Sequence, residues 1–297
     1  MFNVIEYMIY TLRYIGGYIM AKKLLTATLA FMIVLSMGTV SANIQDTNIQ
    51  VLNDNIKSNI EENIQNETPE SGNKQYAITE APGPVTEEKS NIRIIDPNKP
   101  MIAVTYDDGP SQYTPEILDV LEENNSVATF FVLGLNVHKN GDILNRMVEE
   151  GNQIGNHTYN HKNITTISDE ELYKQVQGTD DLIYMATGYT PTVMRPPYGT
   201  TNVETNKKIT KPLIHWSIDT RDWENKNVEM IKNSILENIK DGDIILMHDI
   251  YNSTVEASEI VIPELVNRGY QLVTIDELVE YRGAMLLSGE QYYNMYK

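Results

Sequence analysis

The sequence predicts an α/β fold built on a parallel sheet, and three observations carry that reading. Short apolar runs recur between residues 97 and 285, amphipathic segments with helix-start signals separate them, and polar side chains gather where the runs end. Met101 to Tyr106, Ala128 to Val132, Gln153 to Asn156, Val193 to Arg195, Leu213 to Ser217, Asp243 to His248 and Gln271 to Thr274 read as strands. Between them, Thr114 reads as an N-cap with Pro115 at the first helical position, and Ser168 with Glu171 as a capping box. Seven strands alternating with helices imply a parallel sheet, either closed into a barrel or doubly wound and open. In both arrangements functional groups collect at the C-terminal ends of the strands.

Three further segments flank this domain. Lys22 and Lys23 precede an apolar run from Leu24 to Val40, and Val40, Ser41 and Ala42 supply small residues for a signal peptidase. Residues 1–42 therefore read as an export signal, with Met20 as a natural start, or as a retained N-terminal membrane anchor, the run being near the length of a spanning helix. Residues 43–96 read as a flexible linker, since 43–73 hold eight asparagines and bury too little apolar surface to offset chain entropy. Leu52, Ile56, Ile60 and Ile64 could form a transient amphipathic helix there. Residues 286–297 read as a C-terminal tail.

Composition excludes several function classes. The 297 residues include no cysteine, so disulfides, cysteine-ligated metals and thiol nucleophiles are ruled out. With 41 acidic against 23 basic side chains the net charge is -18, which repels phosphate backbones, and no basic patch counters it. Nucleic acid is not an expected partner, and nothing implies a protein partner.

The chemistry lies at the strand ends. Asp107 and Asp108 close the first strand before Gly109-Pro110; two adjacent carboxylates repel each other, a cost a cation offsets, although Asp-Gly-Pro is also ordinary turn chemistry. His157 and His161 stand at i,i+4 spacing, which on a helical turn would put both imidazoles on one face, as a divalent metal needs. His248 closes a strand and precedes Asp249. Arg195 stands before Pro196-Pro197-Tyr198-Gly199, and the segment Trp216 to Trp223 carries Asp219 and Asp222 with both tryptophans of the chain. Singly, each has an ordinary structural explanation; five such segments at strand ends do not.

TYDDGP, HTYNH, RPPYG, DTRDW and LMHD, in that order from Thr105 to Asp249, resemble the five motifs of the polysaccharide deacetylases of the NodB-homology type, carbohydrate esterase family four. The resemblance covers about residues 98–281 and implies a distorted (β/α) barrel with fewer than eight regular strands. It also implies that Asp108, His157 and His161 bind the metal, Asp107 is the general base held by Arg195, and His248 is the general acid. The backbone N–H of Tyr198 would face the oxyanion, Asp222, ranked ahead of Asp219, would tune His248, and Trp223 and Leu246 would wall the acetate pocket. Two imidazoles and one carboxylate suit zinc, with cobalt or nickel able to take the same place. The expected activity is removal of N-acetyl groups from a cell-wall polysaccharide, peptidoglycan first, by a secreted or cell-surface enzyme. The alternatives are an O-acetyl esterase on acetylated xylan or a chitooligosaccharide deacetylase.

Overall fold

The computed structural model describes residues 93–297, so the segment 1–42 read as an export signal or membrane anchor, the amphipathic stretch from Leu52 to Ile64 and nearly all of the segment read as a linker lie outside the described residues. β1 (Met101–Asp107) is buried at all seven positions, the signature of a central parallel strand covered on both faces. β2 (Thr129–Val132), β3 (Gln153–Asn156), β5 (Ile218–Asp219) and β6 (Ile244–His248) complete an all-parallel ladder in the order β3-β2-β1-β6-β5, and β7 (Gln271–Leu272) pairs with the start of β1. β4 (Leu213–Ile214) pairs with β8 (Gln291–Tyr292), and single bridges through Met194 tie β3 to β4. The strands thus curl around as a distorted (β/α) barrel with an interruption between β4 and β5.

Helices cover the outside: α1 (Thr114–Glu123), α2 (Gly134–Val137), α3 (Gly141–Glu149), α4 (Asp169–Thr187), α5 (Val203–Asn206), α6 (Asp222–Asn225), α7 (Val228–Leu236), α8 (Asn252–Asn267) and α9 (Ile275–Tyr281). The largest core cluster packs Ile117, Leu118 and Leu121 of α1 and Val261, Ile262 and Leu265 of α8 against Val104 and Tyr106 of β1. Fully burying such a side chain contributes about 1.5–3 kcal/mol, so the two helices that flank the β1 and β6 strand ends are firmly seated.

Several elements differ from the sequence reading. Val193 to Arg195 is no extended strand: only Met194 makes bridge pairs, to Asn156 and Leu213, with Arg195 N donating to Asn156 O at 2.9 Å. Leu213 to Ser217 splits: β4 ends at Ile214, and β5 starts at Ile218. Thr114 is not the cap but the first helical residue, with Tyr113 before it. The Thr114 hydroxyl accepts from Ser111 N at 2.8 Å and donates to Asp249 at 2.5 Å. Ser168 caps α4 by accepting from Glu171 N at 3.3 Å, but the Glu171 carboxylate goes to Lys162 and Gln175, so the box is half made. The full capping box is at Thr274 and Glu277.

Both proposed domain edges are packed. Arg93 ion-pairs with Glu277, and Asp96 N donates to Gln271 Oε1 at 2.8 Å. Residues 286–297 supply β8 and bury Met295.

The turn after β1 holds one position where only glycine fits. A Cβ on Gly109 would run into the Asp249 carboxylate, which is fully buried beneath it. Gly109→Ala should therefore destabilise the fold by about 1–3 kcal/mol, as overpacking does, and lower the melting temperature by about 2–4 °C per kcal/mol. An unchanged thermal melt would show that Asp249 can move aside.

Candidate active site

Asp107 and His248 are register partners at the ends of β1 and β6, so the ladder itself sets the two side by side. Both line one pocket of about 470 Å³ with Asp108, His157, His161, Tyr198, Trp223 and Leu246. Pro196, Gly199, Trp216 and Asp219 complete its wall.

Arg195 is wholly buried, a costly place for a charge unless every donor finds an acceptor. Its Nε donates to Ile214 O at 3.0 Å, one terminal nitrogen to His215 O at 2.9 Å, and the other to Thr105 Oγ1 at 2.8 Å and Asp107 Oδ1 at 2.7 Å. The guanidinium also lies 4.1 Å over the Phe131 ring. Burial raises the Asp107 carboxyl above the usual range, with Arg195 and then His248 opposing that rise. Arg195 thus fixes one oxygen of Asp107, and the other lies 3.6 Å from His157 Nε2.

His157 and His161 do converge, but not on a helical turn. Residues 157–163 form a loop in which Thr158 (φ 68°) and His161 (φ 59°) adopt left-handed backbone, unusual for side chains with a Cβ. The loop is held from beneath. Asn156 Oδ1 accepts from Thr158 N at 2.7 Å, and its Nδ2 donates to Asp180 Oδ1 at 2.8 Å. Lys211 makes a buried ion pair with the other Asp180 oxygen. Gln175 Oε1 accepts from Tyr159 N and Asn160 N at 3.0 and 3.2 Å. The two imidazole centroids end 5.0 Å apart.

The donor set fits a divalent cation. One ligand atom each from Asp108, His157 and His161 lie within 4.8 Å of one another, and Asp108 Oδ1 is buried without a hydrogen-bond partner. His157 Nε2 and His161 Nε2 are 3.5 and 3.6 Å from that oxygen. Desolvation, with Asp108 opposing it, pushes the His157 pKa down to about 3, so the ring is neutral. Its Nδ1 lies 2.7 Å from Arg195 O, a carbonyl that can only accept, so Nδ1 carries the proton and Nε2 presents its lone pair to Asp108.

A sequence profile of the family described as Polysaccharide deacetylase matches residues 95–212. A peptidoglycan-N-acetylglucosamine deacetylase of Bacillus cereus is 39% identical over 194 residues, which cover 62% of this chain and 91% of that protein. The chain belongs to the polysaccharide deacetylase family. Peptidoglycan-N-acetylglucosamine deacetylase PgdA of Listeria monocytogenes is 41% identical over 226 residues, 75% of this chain; the alignment spans slightly less than half of that longer relative, 46%. The solved peptidoglycan deacetylase PdaC of Bacillus subtilis superposes with a TM-score of 0.63 at 40% identity, covering 64% of this chain and 94% of that one.

On the opposite wall of this polysaccharide deacetylase pocket, Asp222 and Asp219 have separate fates. Asp222 Oδ1 lies 2.8 Å from His248 Nδ1 and accepts from Trp223 N at 2.9 Å, while Oδ2 accepts from His248 N and Thr254 Oγ1 at 2.7 Å each. Asp219 instead accepts from Arg221 N at 2.9 Å. Burial works against a charge on His248, but the Asp222 hydrogen bond and charge, with Asp107 and Asp108 adding, hold its pKa up to about 9. Tyr198 has left-handed backbone (φ 60°) between Pro197 and Gly199 and leaves its ring exposed, 4.5 Å from His161. Leu246 is buried and Trp223 half exposed.

Motif reading passes over the Asn156–Asp180–Lys211 support and the role of Asp249. Asp249 is buried under Gly109; desolvation, with Thr114 opposing and Asp108 and Asp107 reinforcing, raises its pKa to about 7. The last of the five motifs ends on this aspartate, which is the one signal for it in the sequence.

Proposed function

We propose that this enzyme is a metal-dependent N-deacetylase of wall peptidoglycan that acts outside the membrane. The observation that carries the reaction is the pairing, in one pocket, of a buried, arginine-held carboxylate beside a His/His/Asp cluster with a raised-pKa histidine. A divalent cation held by Asp108, His157 and His161, zinc or in its place cobalt or nickel, would polarise an acetyl carbonyl and lower the pKa of water. Asp107 takes the proton of the attacking water, its raised carboxyl pKa suiting a base and Arg195 fixing its direction. The Tyr198 backbone N–H, in a turn stiffened by Pro196 and Pro197, meets the oxyanion. His248 enters charged because of Asp222 and delivers its proton to the departing nitrogen, without which an amine is a poor leaving group. Trp223 and Leu246 enclose the acetyl methyl group.

The choice of polymer is supported by the peptidoglycan deacetylases to which the chain is similar. The export signal read at residues 1–42 is in keeping with an extracytoplasmic site; among the described residues no helix is long and apolar enough to cross a membrane. The deciding assay incubates the purified protein with peptidoglycan and counts free glucosamine and muramic-acid amines after hydrolysis. A rise in the glucosamine amine is expected. Acetate release from acetylxylan or chitin oligomers with no new amine on peptidoglycan would overturn the polymer while leaving the hydrolytic site intact.

A further inference from the structure

Beside the pocket lies a second groove, of about 590 Å³, lined by Tyr113, Lys226, Tyr251, Ser253 and Glu256 among others. No residue lines both, but the two are linked through neighbouring side chains. Tyr251 is on the groove side with its ring centroid 6.1 Å from that of His248, and Lys226 caps the four-residue helix that carries Asp222 and Trp223. The backbone on both sides of this helix is left-handed at residues that are not glycine, Arg221 (φ 54°) and Lys226 (φ 49°). Such backbone persists only where the surroundings hold it, so the Lys226 side chain springs from a fixed point.

Its charge is unusual for this molecule. The chain is strongly acidic; at the pocket Asp107 is offset by Arg195 and the buried Asp222 by His248, while Asp219 lines the wall with no ion-pair partner among the described residues. An anionic substituent arriving there is repelled unless a cation meets it. Arg221, the other cation on this short helix, is already paired with Glu224 at 2.7 Å. Lys226 is exposed and, among the described residues, has no carboxylate within ion-pair distance; its Nζ instead rests 4.7 Å from the centre of the Tyr251 ring. Glu256, the carboxylate in the same groove, is engaged by Asn252 Nδ2 at 2.5 Å.

We infer that this groove binds a carboxylate carried by the sugar next to the one being deacetylated, with Lys226 as its counter-charge and Tyr251 as the floor. The inference rests on the proposed peptidoglycan reading, since neutral chitin and xylan carry no such group. In peptidoglycan the carboxylate has two sources, the stem peptide and, once the stem is removed, the lactyl ether itself. Lys226 thereby determines specificity and takes no part in the chemical step.

The test compares the wild-type chain with Lys226→Met and Lys226→Arg on three substrates: peptide-bearing glycan, the same glycan stripped by an amidase, and chitotetraose. Lys226→Met should raise KM on peptide-bearing glycan about three- to fivefold, the scale of an exposed ion pair, leave kcat unchanged, and leave chitotetraose within about twofold. Lys226→Arg should restore KM. A KM effect confined to the peptide-bearing glycan assigns a stem carboxylate, one confined to the stripped glycan assigns the lactyl carboxylate, which is an uncharged amide until the stem is removed, and an effect on both shows that either carboxylate reaches Lys226. Equal effects on charged and neutral substrates, or none on either glycan, overturn the inference while the function stands. A wild-type chain that deacetylates chitotetraose but neither glycan overturns the function, and this inference with it.

Discussion

His157→Ala should abolish acetate release, with a loss on the order of 10³-fold or more, because the several kcal/mol of charge stabilisation that a cation supplies goes with its ligand. Chelation of the wild-type protein should do the same, and added Zn²⁺ or Co²⁺ should reverse it. Metal content measured on the purified variants separates this role from that of its neighbour. His157→Ala should lose metal and activity together, whereas Asp107→Asn should keep metal and lose about 10²–10⁴-fold in rate as a missing general base. Asp107→Asn also leaves the fully buried Arg195 without its counter-charge. Removing one partner of a buried pair costs about 3–5 kcal/mol, so a thermal melt must accompany the kinetics. Full turnover in chelated, metal-free protein would remove the mechanism altogether.

Asp222→Asn is the second large effect. His248 must be charged to act as the acid, and its pKa is held at about 9, so the wild-type rate should be sustained below that pH and fall as pH rises through it. Without the Asp222 charge the imidazole is left to its burial, which favours the neutral ring. The alkaline limb should move to lower pH, and kcat near neutrality should drop on the order of 10²-fold. Stability follows the same sign. The charged ring stabilises the wild-type fold fully below its ordinary value of 6.5, and that contribution is lost as pH rises through about 9; the Asp222→Asn protein should lack this dependence. An alkaline limb in the same place in both proteins would reassign the acid.

How far this site is legible in the sequence can be seen residue by residue. β1 and β6 stand in the sequence because a strand buried on both faces must be a continuous apolar run, and the polar residues that end such runs, Asp107, Asp108 and His248, are conspicuous for the same reason. The two-residue strands β5 and β8 carry no such pattern; their pairing is set by partners 27 and 78 residues away, Ile245 and Leu213. The histidine pair was visible by spacing, but the spacing suggested a helical turn that does not exist. The loop that carries the left-handed residues Thr158 and His161 is held locally by Asn156 but also by Gln175, Asp180 and Lys211, which no local window contains.

The alternation of strands and helices, the order of the five polar segments, and the donor types of a cation site without cysteine are written in the amino-acid order. Those are local properties, fixed by period and residue chemistry. That Asp222 and not Asp219 holds His248, that residues 286–297 pack into the domain, and that Gly109 is required above Asp249 emerges only once the chain is folded. So does the place of Lys226, in a groove beside His248. Each of these depends on which distant groups share a few ångströms of space, and hydrogen bonds and charges act on that distance, not on separation along the chain.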